Sequence, residues 1–467
     1  MFSLALGLWG ITRAGTMWRD ESVTYQVSHR SLSEIYGLLQ HADIVHGLYY
    51  IFMHSLFSVW EGGLVALRLP SVLATSVTAG LVGVIALKLT ARRSAGLLSG
   101  LAFAVIPEVQ MYSQEGRSYA MVSALVAVST YFFLTLMVRP TKARWLAYGL
   151  AILAASLLHE FAVLTLLAHG VTVYRSQLVG RARRHFVISA GGVLLALLPL
   201  VLISTSQSAQ VSWIGNPKLR DWFEIVGAAL VAAWCARYLS RARRSVEVAR
   251  LALPLAVLPT VALLLAAVYD PMYVDRYVLY SNIGFALLVG TSLAYLADDA
   301  KSLQCVRHQK ARACIVALLA IAFTAAMLPV TLQMRTPESR KDNVTAIATE
   351  VDKMSHRGDA VLFAPARRRE WMLSYPEHFK GLTDIALKGQ PRTSGTLEGV
   401  ERPAADIRLR LARAKRVVVL SDPKGQPLDT NAQESAKREI IERDFTECQR
   451  KEIKGGQVTL YVRSGPC

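Results

Sequence analysis

The chain contains 467 residues, of which 53% are hydrophobic and 18% are charged, and its mean hydropathy is +0.33. Soluble domains contain about 25% charged residues, so this composition argues against a soluble enzyme, and the high hydrophobicity excludes a disordered chain. The formal net charge is +18; in a membrane protein such an excess lies mainly in cytoplasmic loops rather than on a nucleic-acid-binding patch.

Apolar stretches long enough to cross a hydrocarbon core of roughly 30 Å recur along the first part of the chain. Residues 1–16 form a short stretch of this kind, which contains Arg13 and is interpreted as a first transmembrane helix that lacks its start. The remaining predicted full spans are 64–89, 94–113, 119–138, 186–204, 223–240, 251–269, 277–297 and 313–332.

The stretch 146–174 has basic clusters on both sides and His159–Glu160 in its middle. One long helix would place the two clusters on opposite faces of the membrane. We therefore predict two short helices that turn at His159–Glu160, which is tolerated where protein surrounds them. The apolar segment 46–60 is predicted to be a helix that lies in the outer interface or re-enters from it.

With about eleven spans, the basic loops share one face, which the positive-inside rule makes cytoplasmic. Residues 333–467 then lie on the other side. Their apolar segments DAVLF, KRVVVL and QVTLYV read as buried strands, and helical patterns fall near 339–356, 403–414 and 433–443. We predict a membrane domain over 1–332, and over 333–467 a small extracytoplasmic α/β domain with a hairpin turn at Gly455–Gly456.

A zinc ribbon is excluded, because the sequence has no Cys-x-x-Cys pair. Cys448 and Cys467 lie in the predicted outer domain, where a disulfide is permitted. The sequence also contains no Gly-rich phosphate loop and no Gly-x-Ser-x-Gly elbow.

The first candidate site residues are Asp20 and Glu21, in the segment MWRDES after the first span. A pair of carboxylates suits a base that takes a proton from a hydroxyl and a neighbour that positions substrate. The alternative is an acidic helix start, with Asp20 as the N-cap and Glu21 in the first turn.

His41, Asp43, His46 and Tyr49 crowd the next outer segment, HADIVHGLYY. Imidazole and carboxylate groups can bind a metal, but the spacing matches no standard zinc pattern. We expect a polar, aromatic-rimmed substrate groove here. No metal ligand is assigned, and a divalent cation as cofactor stays open.

Ionisable residues recur at the outer ends of later spans. Glu115, Arg117 and Tyr119 occur in YSQEGRSYA. Ionisable groups at this depth in a membrane are costly and usually mark a functional site. The alternative is an interfacial arginine paired with Glu115. Arg276 and Tyr277 begin an apolar span, and an outer arginine there suits a phosphate.

For Arg276 the alternative is a salt bridge to Asp275 or Asp270. His159 lies among apolar residues, where a lone histidine is more often structural. We expect the outer residues to line one cavity for a lipid-anchored phosphate.

The succession MWRDE, HGLYY, RLPSVLA, YSQEGRSYA and DRYVLY resembles the GT-C glycosyltransferases. The resemblance covers about 330 residues and is strongest to the protein O-mannosyltransferase and aminoarabinose transferase group (glycosyltransferase family 39), within it to actinobacterial mannosyltransferases. It implies a polyprenyl-phosphate sugar donor, inversion at the anomeric carbon, Asp20 as base and Glu21 as a positioning residue. It also maps its Glu-x-Arg-x-Tyr element to Glu115, Arg117 and Tyr119, and its Arg-Tyr pair to Arg276 and Tyr277.

We therefore expect an inverting membrane glycosyltransferase that moves a hexose, with mannose the expected sugar, to an acceptor hydroxyl outside the cytoplasm. The acceptor stays open among protein, lipoglycan, cell-wall polymer and peptide natural product. The alternative function is a transporter or flippase of lipid-linked sugars, but transporters place charges near the bilayer midplane and often contain inverted repeats. A ligand sensor would need neither the Asp-Glu pair nor an outer arginine.

Overall fold

The computed structural model describes residues 1–176, 180–207, 215–241, 245–269, 271–302, 325–463 and 467. Contacts divide the chain into two compact units. The first unit comprises residues 1–11 and 68–332, and the second comprises residues 12–67 and 333–467. The predicted membrane domain over 1–332 thus contains a segment, 12–67, that packs with the C-terminal part of the chain.

The first unit is helical. Among the described residues, five helices are long and apolar enough to cross a membrane, or six if one bent pair counts as a span. The helices are Phe2–Leu8, Gly63–Thr90, Arg93–Val105, Pro107–Ser113, Tyr119–Val138, Lys142–Leu158, Thr165–Arg175, Gly180–Ser206, Leu219–Arg241, Val246–Ala266 and Ser281–Ser302.

The described helices overlap the predicted spans, with three differences, and the predicted number of about eleven spans stays a prediction. The span expected at 94–113 is bent by 66° between Val105 and Pro107, because proline cannot donate the backbone bond that continues a helix. The helix expected over 1–16 ends at Leu8, since Gly10, Arg13, Ala14 and Gly15 adopt positive φ. Most of the span expected at 313–332 lies outside the described residues.

The predicted break at His159 is confirmed. The helix Lys142–Leu158 ends there, His159 is extended, and a 3-10 turn over Glu160–Leu164 leads into the helix Thr165–Arg175. The placement of both basic flanks on one side of a membrane stays a prediction.

Small residues allow close packing of helices in this unit. A Cβ on Gly290 would lie 2.3 Å from the Cα of Ser99, so the helices Ser281–Ser302 and Arg93–Val105 approach backbone to backbone there. Such contacts are typical of membrane helix interfaces, where packing rather than water exclusion drives association.

The second unit contains a five-stranded sheet of order β2-β1-β5-β7-β6, in which β1 pairs parallel with β2 and β5, while β7 pairs antiparallel with β5 and β6. A separate pair, β3–β4, is antiparallel. The strands are β1 Ala360–Ala364, β2 Thr383–Asp384, β3 Leu387–Gly389, β4 Val400–Glu401, β5 Arg416–Ser421, β6 Thr446–Ile453 and β7 Gly456–Val462.

The central strands β1 and β5 are buried on both faces of the sheet. Val361 and Phe363 pack on one side with the helix Val344–Met354, while Ala360 and Leu362 pack on the other with two further helices. Successive side chains of a strand point to opposite faces, so a run without polar residues needs a layer on each side. The remaining helices of this part are Glu370–Ser374, Pro391–Ser394, Ala404–Arg413 and Ala432–Asp444.

The three predicted strands and the α/β character are thus confirmed, as is the hairpin turn, where Gly455 adopts a φ of 91° between β6 and β7. Cys448 and Cys467, between which the sequence permits a disulfide, form one, with their Cα atoms 5.4 Å apart.

Segment 12–67 contributes the helices Arg19–Ser28, Leu32–Leu39 and Gly47–Val59. They enclose a small core that includes Val27, Leu38 and Tyr50. The Gly47–Val59 helix has 13 residues, fewer than the about 20 that a span needs. The expectation of a short helix at 46–60 is confirmed, and its position in a membrane stays a prediction.

Candidate functional site

The carboxylates of Asp20 and Glu21 lie in the first turn of the Arg19–Ser28 helix. The N-cap is Trp18, with no side-chain capping bond, so Asp20 is not the N-cap, whereas the alternative of an acidic helix start with Glu21 in its first turn is confirmed. Asp20 is half-buried, whereas Glu21 is fully buried. Negative charge is favourable at a helix N-terminus, which stabilises the ionised form that a base requires.

Glu21 has a buried partner in the preceding loop. The Nη1 of Arg13 lies 3.3 Å from the Oε2 of Glu21, and both side chains are at most 1% exposed. The carbonyl of Arg13 accepts a hydrogen bond from the Thr16 hydroxyl at 2.7 Å. Because a buried charge is costly unless paired, this pair holds the loop against the start of the helix.

Residues from the C-terminal part of the second unit form hydrogen bonds and an ion pair with the start of the Arg19–Ser28 helix. The backbone N–H of Arg19 donates to Asp342 Oδ1 at 2.7 Å, and Arg19 Nε lies 2.5 Å from Glu370 Oε1. The Ser22 and Ser374 hydroxyls are hydrogen-bonded to each other. Burial raises the pKa of Asp342 to about 6 and that of Glu370 to about 7.

The predicted groove residues His41, His46 and Tyr49 do not share one surface. His41 is exposed, and its Nδ1 lies 3.0 Å from the carbonyl oxygen of Gly37 in its own helix. His46 and Tyr49 are buried at the start of the Gly47–Val59 helix, 9% and 0% exposed. His41 therefore stands apart from the other two.

The structure brings together Tyr119, His159, Arg276 and Tyr277 in the first unit. Arg276 Nε donates to the Tyr119 hydroxyl at 3.1 Å, and its guanidinium lies 5.7 Å and 5.6 Å from the ring centres of Tyr119 and Tyr277. The His159 ring is 4.5 Å from that of Tyr277. A cation within about 6 Å of aromatic faces is stabilised by them.

Asp275, one of the two expected salt-bridge partners of Arg276, contacts Tyr112 and the backbone of Arg276, and the salt-bridge alternative stays a prediction. Its carboxylate accepts from the Tyr112 hydroxyl at 3.0 Å and from the backbone N–H of Arg276 at 2.8 Å. The Arg276 side chain is turned toward Tyr119. Asp270, the other expected partner, lies outside the described residues.

Glu115 and Arg117 are buried in the turn before the Tyr119–Val138 helix, 0% and 6% exposed. The Ser71 hydroxyl donates to both of their carbonyls, at 2.6 Å and 3.1 Å. Ser118 in the same turn donates to the carbonyl of Leu158, directly before His159. These bonds hold the turn beside the segment that contributes His159.

Within the described ranges, no group of three or more His, Cys, Asp or Glu side chains could hold a metal ion. The expectation that the outer residues line one cavity stays a prediction.

Several site residues were missed by sequence reasoning. Asp342 and Glu370 lie in a polar, charge-rich region in which nothing local distinguishes them from surface carboxylates. Tyr112 was recognisable only as a neighbour of Glu115. Arg13 did give a signal, because a charge within an apolar stretch calls for a partner.

No protein-family model matches the chain, and no curated protein matches its sequence. Solved structures do resemble it. ArnT from Cupriavidus metallidurans in the apo state is similar with a TM-score of 0.61 and 13% identity, over 100% of this chain and 98% of that one. The same protein bound to undecaprenyl phosphate gives a TM-score of 0.59.

ArnT is a GT-C glycosyltransferase of family 83. At 13% identity the similarity concerns the fold alone, and it does not extend to the predicted mannosyltransferase group of family 39. The chain is a mostly helical protein with several helices suited to a membrane, a small C-terminal sheet region and an ArnT-like GT-C fold.

Proposed function

We propose that the protein is an inverting membrane glycosyltransferase. It moves a hexose, which we take to be mannose, from a polyprenyl-phosphate donor to an acceptor hydroxyl on the extracytoplasmic face. The observation that carries the proposal is the full-length similarity to ArnT, one structure of which holds undecaprenyl phosphate. The mannose assignment depends on the resemblance of the sequence motifs.

In this proposal the Asp20 carboxylate takes the proton of the acceptor hydroxyl. The acceptor oxygen forms a bond to the anomeric carbon while the bond from that carbon to the phosphate oxygen breaks. Polyprenyl phosphate leaves with the electron pair, and the single displacement inverts the anomeric centre. Glu21, fixed by Arg13, supports the orientation of Asp20.

Arg276 is suited to the developing phosphate charge. A guanidinium donates two parallel hydrogen bonds to phosphate, and preorganised charge at the leaving group is usually the largest single contribution to catalysis. The Tyr119 hydroxyl and the two rings that face Arg276 orient the guanidinium before substrate arrives. Arg117 is proposed to assist, and His159 to support Tyr277.

An extracytoplasmic C-terminal domain is supported by the Cys448–Cys467 disulfide, since disulfides persist in oxidising compartments. The partners we propose are the donor lipid, the surrounding membrane lipids and a hydroxyl acceptor on a protein, a lipoglycan or a peptide.

The test is sugar transfer by the purified full-length protein from polyprenyl phosphomannose. Release of free polyprenyl phosphate together with mannose transfer supports the enzyme. Movement of the intact lipid-linked sugar across vesicles without release of polyprenyl phosphate would instead support a flippase. Polyprenyl phosphoglucose as the second donor tests the sugar separately from the reaction class.

A further inference from the structure

The second unit contains a cavity of about 690 Å³ that the proposed chemistry does not use. One wall is formed by the last turn of the Arg19–Ser28 helix and the residues after it, including Gln26 and Arg30. The opposite wall is formed by residues 372–377, Phe379 and Pro391–Arg392 of the C-terminal part. The size falls in the range of about 300–1,000 Å³ that is usual for small-molecule sites.

The polar end of the cavity is built from two buried side chains. Gln26 and Arg30 are 6% and 1% exposed, and Arg30 Nη2 donates to Gln26 Oε1 at 2.8 Å. Arg30 Nη1 donates to the carbonyls of Thr396 at 2.9 Å and Pro391 at 3.5 Å. These bonds hold the guanidinium in place between the helix and the opposite wall.

Two nitrogen donors at this end lack an acceptor in the part of the chain that the structure describes. Among the described residues, neither Gln26 Nε2 nor Arg30 Nε has a hydrogen-bond partner. Buried donors are almost always satisfied in native proteins, and each exception calls for an explanation. A ligand that carries acceptor oxygens provides one.

The charge of the cavity favours an anion. In the described part of the chain, Arg30 makes no ion pair with a carboxylate, although Glu34 and Glu398 act on it electrostatically, and exposed Arg392 adds a second cation at the rim. Glu377 is the exposed anion of the lining, and the Nε2 of His29 lies 3.0 Å from Glu61. Burial lowers the pKa of Arg30 only to about 10, so the guanidinium is charged at neutral pH.

The remaining lining is aromatic. The side chains of Tyr25, Tyr375 and Phe379 face the cavity. Rings with an apolar face and a polar edge suit ligands that are part apolar and part hydroxylated. A sugar ring has this character, because its C–H faces are apolar and its hydroxyls are at the edge.

We propose that this cavity binds the acceptor, a saccharide that carries a carboxylate or phosphate group. The inference rests on the proposed function. Gln26 follows Asp20 by six positions on one helix, a rise of about 9 Å. Six positions are also a rotation of about 240° around the helix, so an acceptor whose anionic unit is held by Gln26 and Arg30 would extend a neighbouring sugar unit both along and around the helix to reach the Asp20 carboxylate.

The test is direct binding to the full-length protein in detergent micelles, measured by calorimetry without donor lipid. The first probes are digalacturonic acid and neutral galactobiose, which differ in the carboxylates. The second pair, mannose 6-phosphate and mannose, distinguishes phosphate from carboxylate. We expect one anionic probe to bind at least about tenfold more tightly than its neutral counterpart.

Gln26→Leu and Arg392→Ala should each weaken binding of that probe, by about tenfold and several-fold respectively. Arg392 is exposed, so its replacement does not threaten folding if the buried variant is unstable. Arg410→Ala, at an exposed position outside the cavity, is the matched control and should bind like the wild type.

Equal binding of charged and neutral probes, unchanged binding by Arg392→Ala, or no binding at millimolar probe would overturn the inference. The experiment separates this failure from failure of the proposed function. If polyprenyl phosphate is released but no probe binds, the proposed transferase activity stands and the assignment of the cavity to the acceptor is refuted. If a probe binds but no polyprenyl phosphate is released from the donor lipid, the cavity is an anionic-saccharide site and the proposed transferase activity is refuted.

Discussion

The backbone N–H of Arg19 donates a 2.7 Å hydrogen bond to the carboxylate of Asp342, a residue 323 positions later in the chain. A residue of the C-terminal part thus satisfies one of the N–H groups that a helix leaves open at its start. The next residue of that helix is Asp20. The C-terminal part therefore helps to position the proposed base, besides forming one wall of the cavity described above.

Asp20→Asn distinguishes catalysis from support of the helix. Asparagine preserves the shape of the side chain but cannot take up the acceptor proton. A general base contributes about 10²–10⁴-fold in rate, so we expect both Asp20→Asn and Asp20→Ala to reduce mannose transfer by at least about 100-fold. Melting temperature and donor-lipid binding should stay close to those of the wild type. Normal turnover by Asp20→Asn would refute the role of base.

Arg276 should act through the leaving phosphate. Lysine keeps the positive charge but loses the planar fork, so Arg276→Lys should retain some transfer activity and Arg276→Ala very little. Arg250→Ala is a suitable control, because Arg250 is exposed and pairs with Glu247 at 2.7 Å on the helix surface. The assay is release of polyprenyl phosphate at saturating acceptor. An alanine variant as active as the control would remove Arg276 from the site.

The buried carboxyls predict a pH dependence of stability. The folded pKa values of about 6 for Asp342 and about 7 for Glu370 lie above the ordinary values of 3.8 and 4.5. Below about pH 3 the folded and unfolded chains both hold these protons. As the pH rises toward 7, the unfolded chain releases protons that the folded chain retains, so stability falls, by on the order of 2–3 kcal/mol per group.

We therefore expect the apparent melting temperature of the full-length protein to be higher at pH 5 than at pH 8, as measured by intrinsic fluorescence. Glu370→Gln should reduce this difference, because it removes one of the titrating groups. Glu439→Gln is the control, since Glu439 is exposed and its bond to Arg408 keeps its pKa below this window. An unchanged difference in Glu370→Gln would mean that Glu370 does not titrate as inferred.

The disulfide should stabilise the terminal hairpin. Cys448 and Cys467 are 19 residues apart, and closing a loop of that length is worth roughly 3 kcal/mol in the chain-entropy model. The double variant Cys448→Ser/Cys467→Ser should unfold at a lower temperature than the wild type. Peptide mass spectrometry without reduction should show the linked pair. Two free thiols in the purified protein would contradict the bond.

Membrane orientation can be tested independently of activity. If the C-terminal part lies outside the cytoplasm, alkaline phosphatase fused after Val462 should be active, and the same enzyme fused after Ser245, behind the basic cluster, should be inactive. The physical reason is the basic cluster that follows the Leu219–Arg241 helix, which the positive-inside rule retains in the cytoplasm. The reverse pattern would refute the predicted orientation and the extracytoplasmic reaction.

Features that depend only on neighbouring residues could be predicted from the sequence. Hydropathy was sufficient to locate the Tyr119–Val138 helix, because every residue of a membrane helix meets the same apolar surroundings. The break at His159 was visible because a polar pair interrupts an apolar run. The strands β1, β5 and β7 were recognisable from short apolar runs that are buried on both faces.

The partners of the charged groups and the division of the chain into units could not be predicted, because both depend on contacts between distant segments. Nothing local assigns Asp342 and Glu370 to Arg19, or turns the Arg276 side chain toward Tyr119, 157 residues away, while the adjacent Asp275 accepts from Tyr112. The segment 12–67 likewise packs with residues 333–467 although its apolar helices resemble those of the membrane part. Local sequence patterns indicate how deeply each segment is buried. They do not indicate which group pairs with a buried charge, because that depends on which distant segment the fold brings beside it.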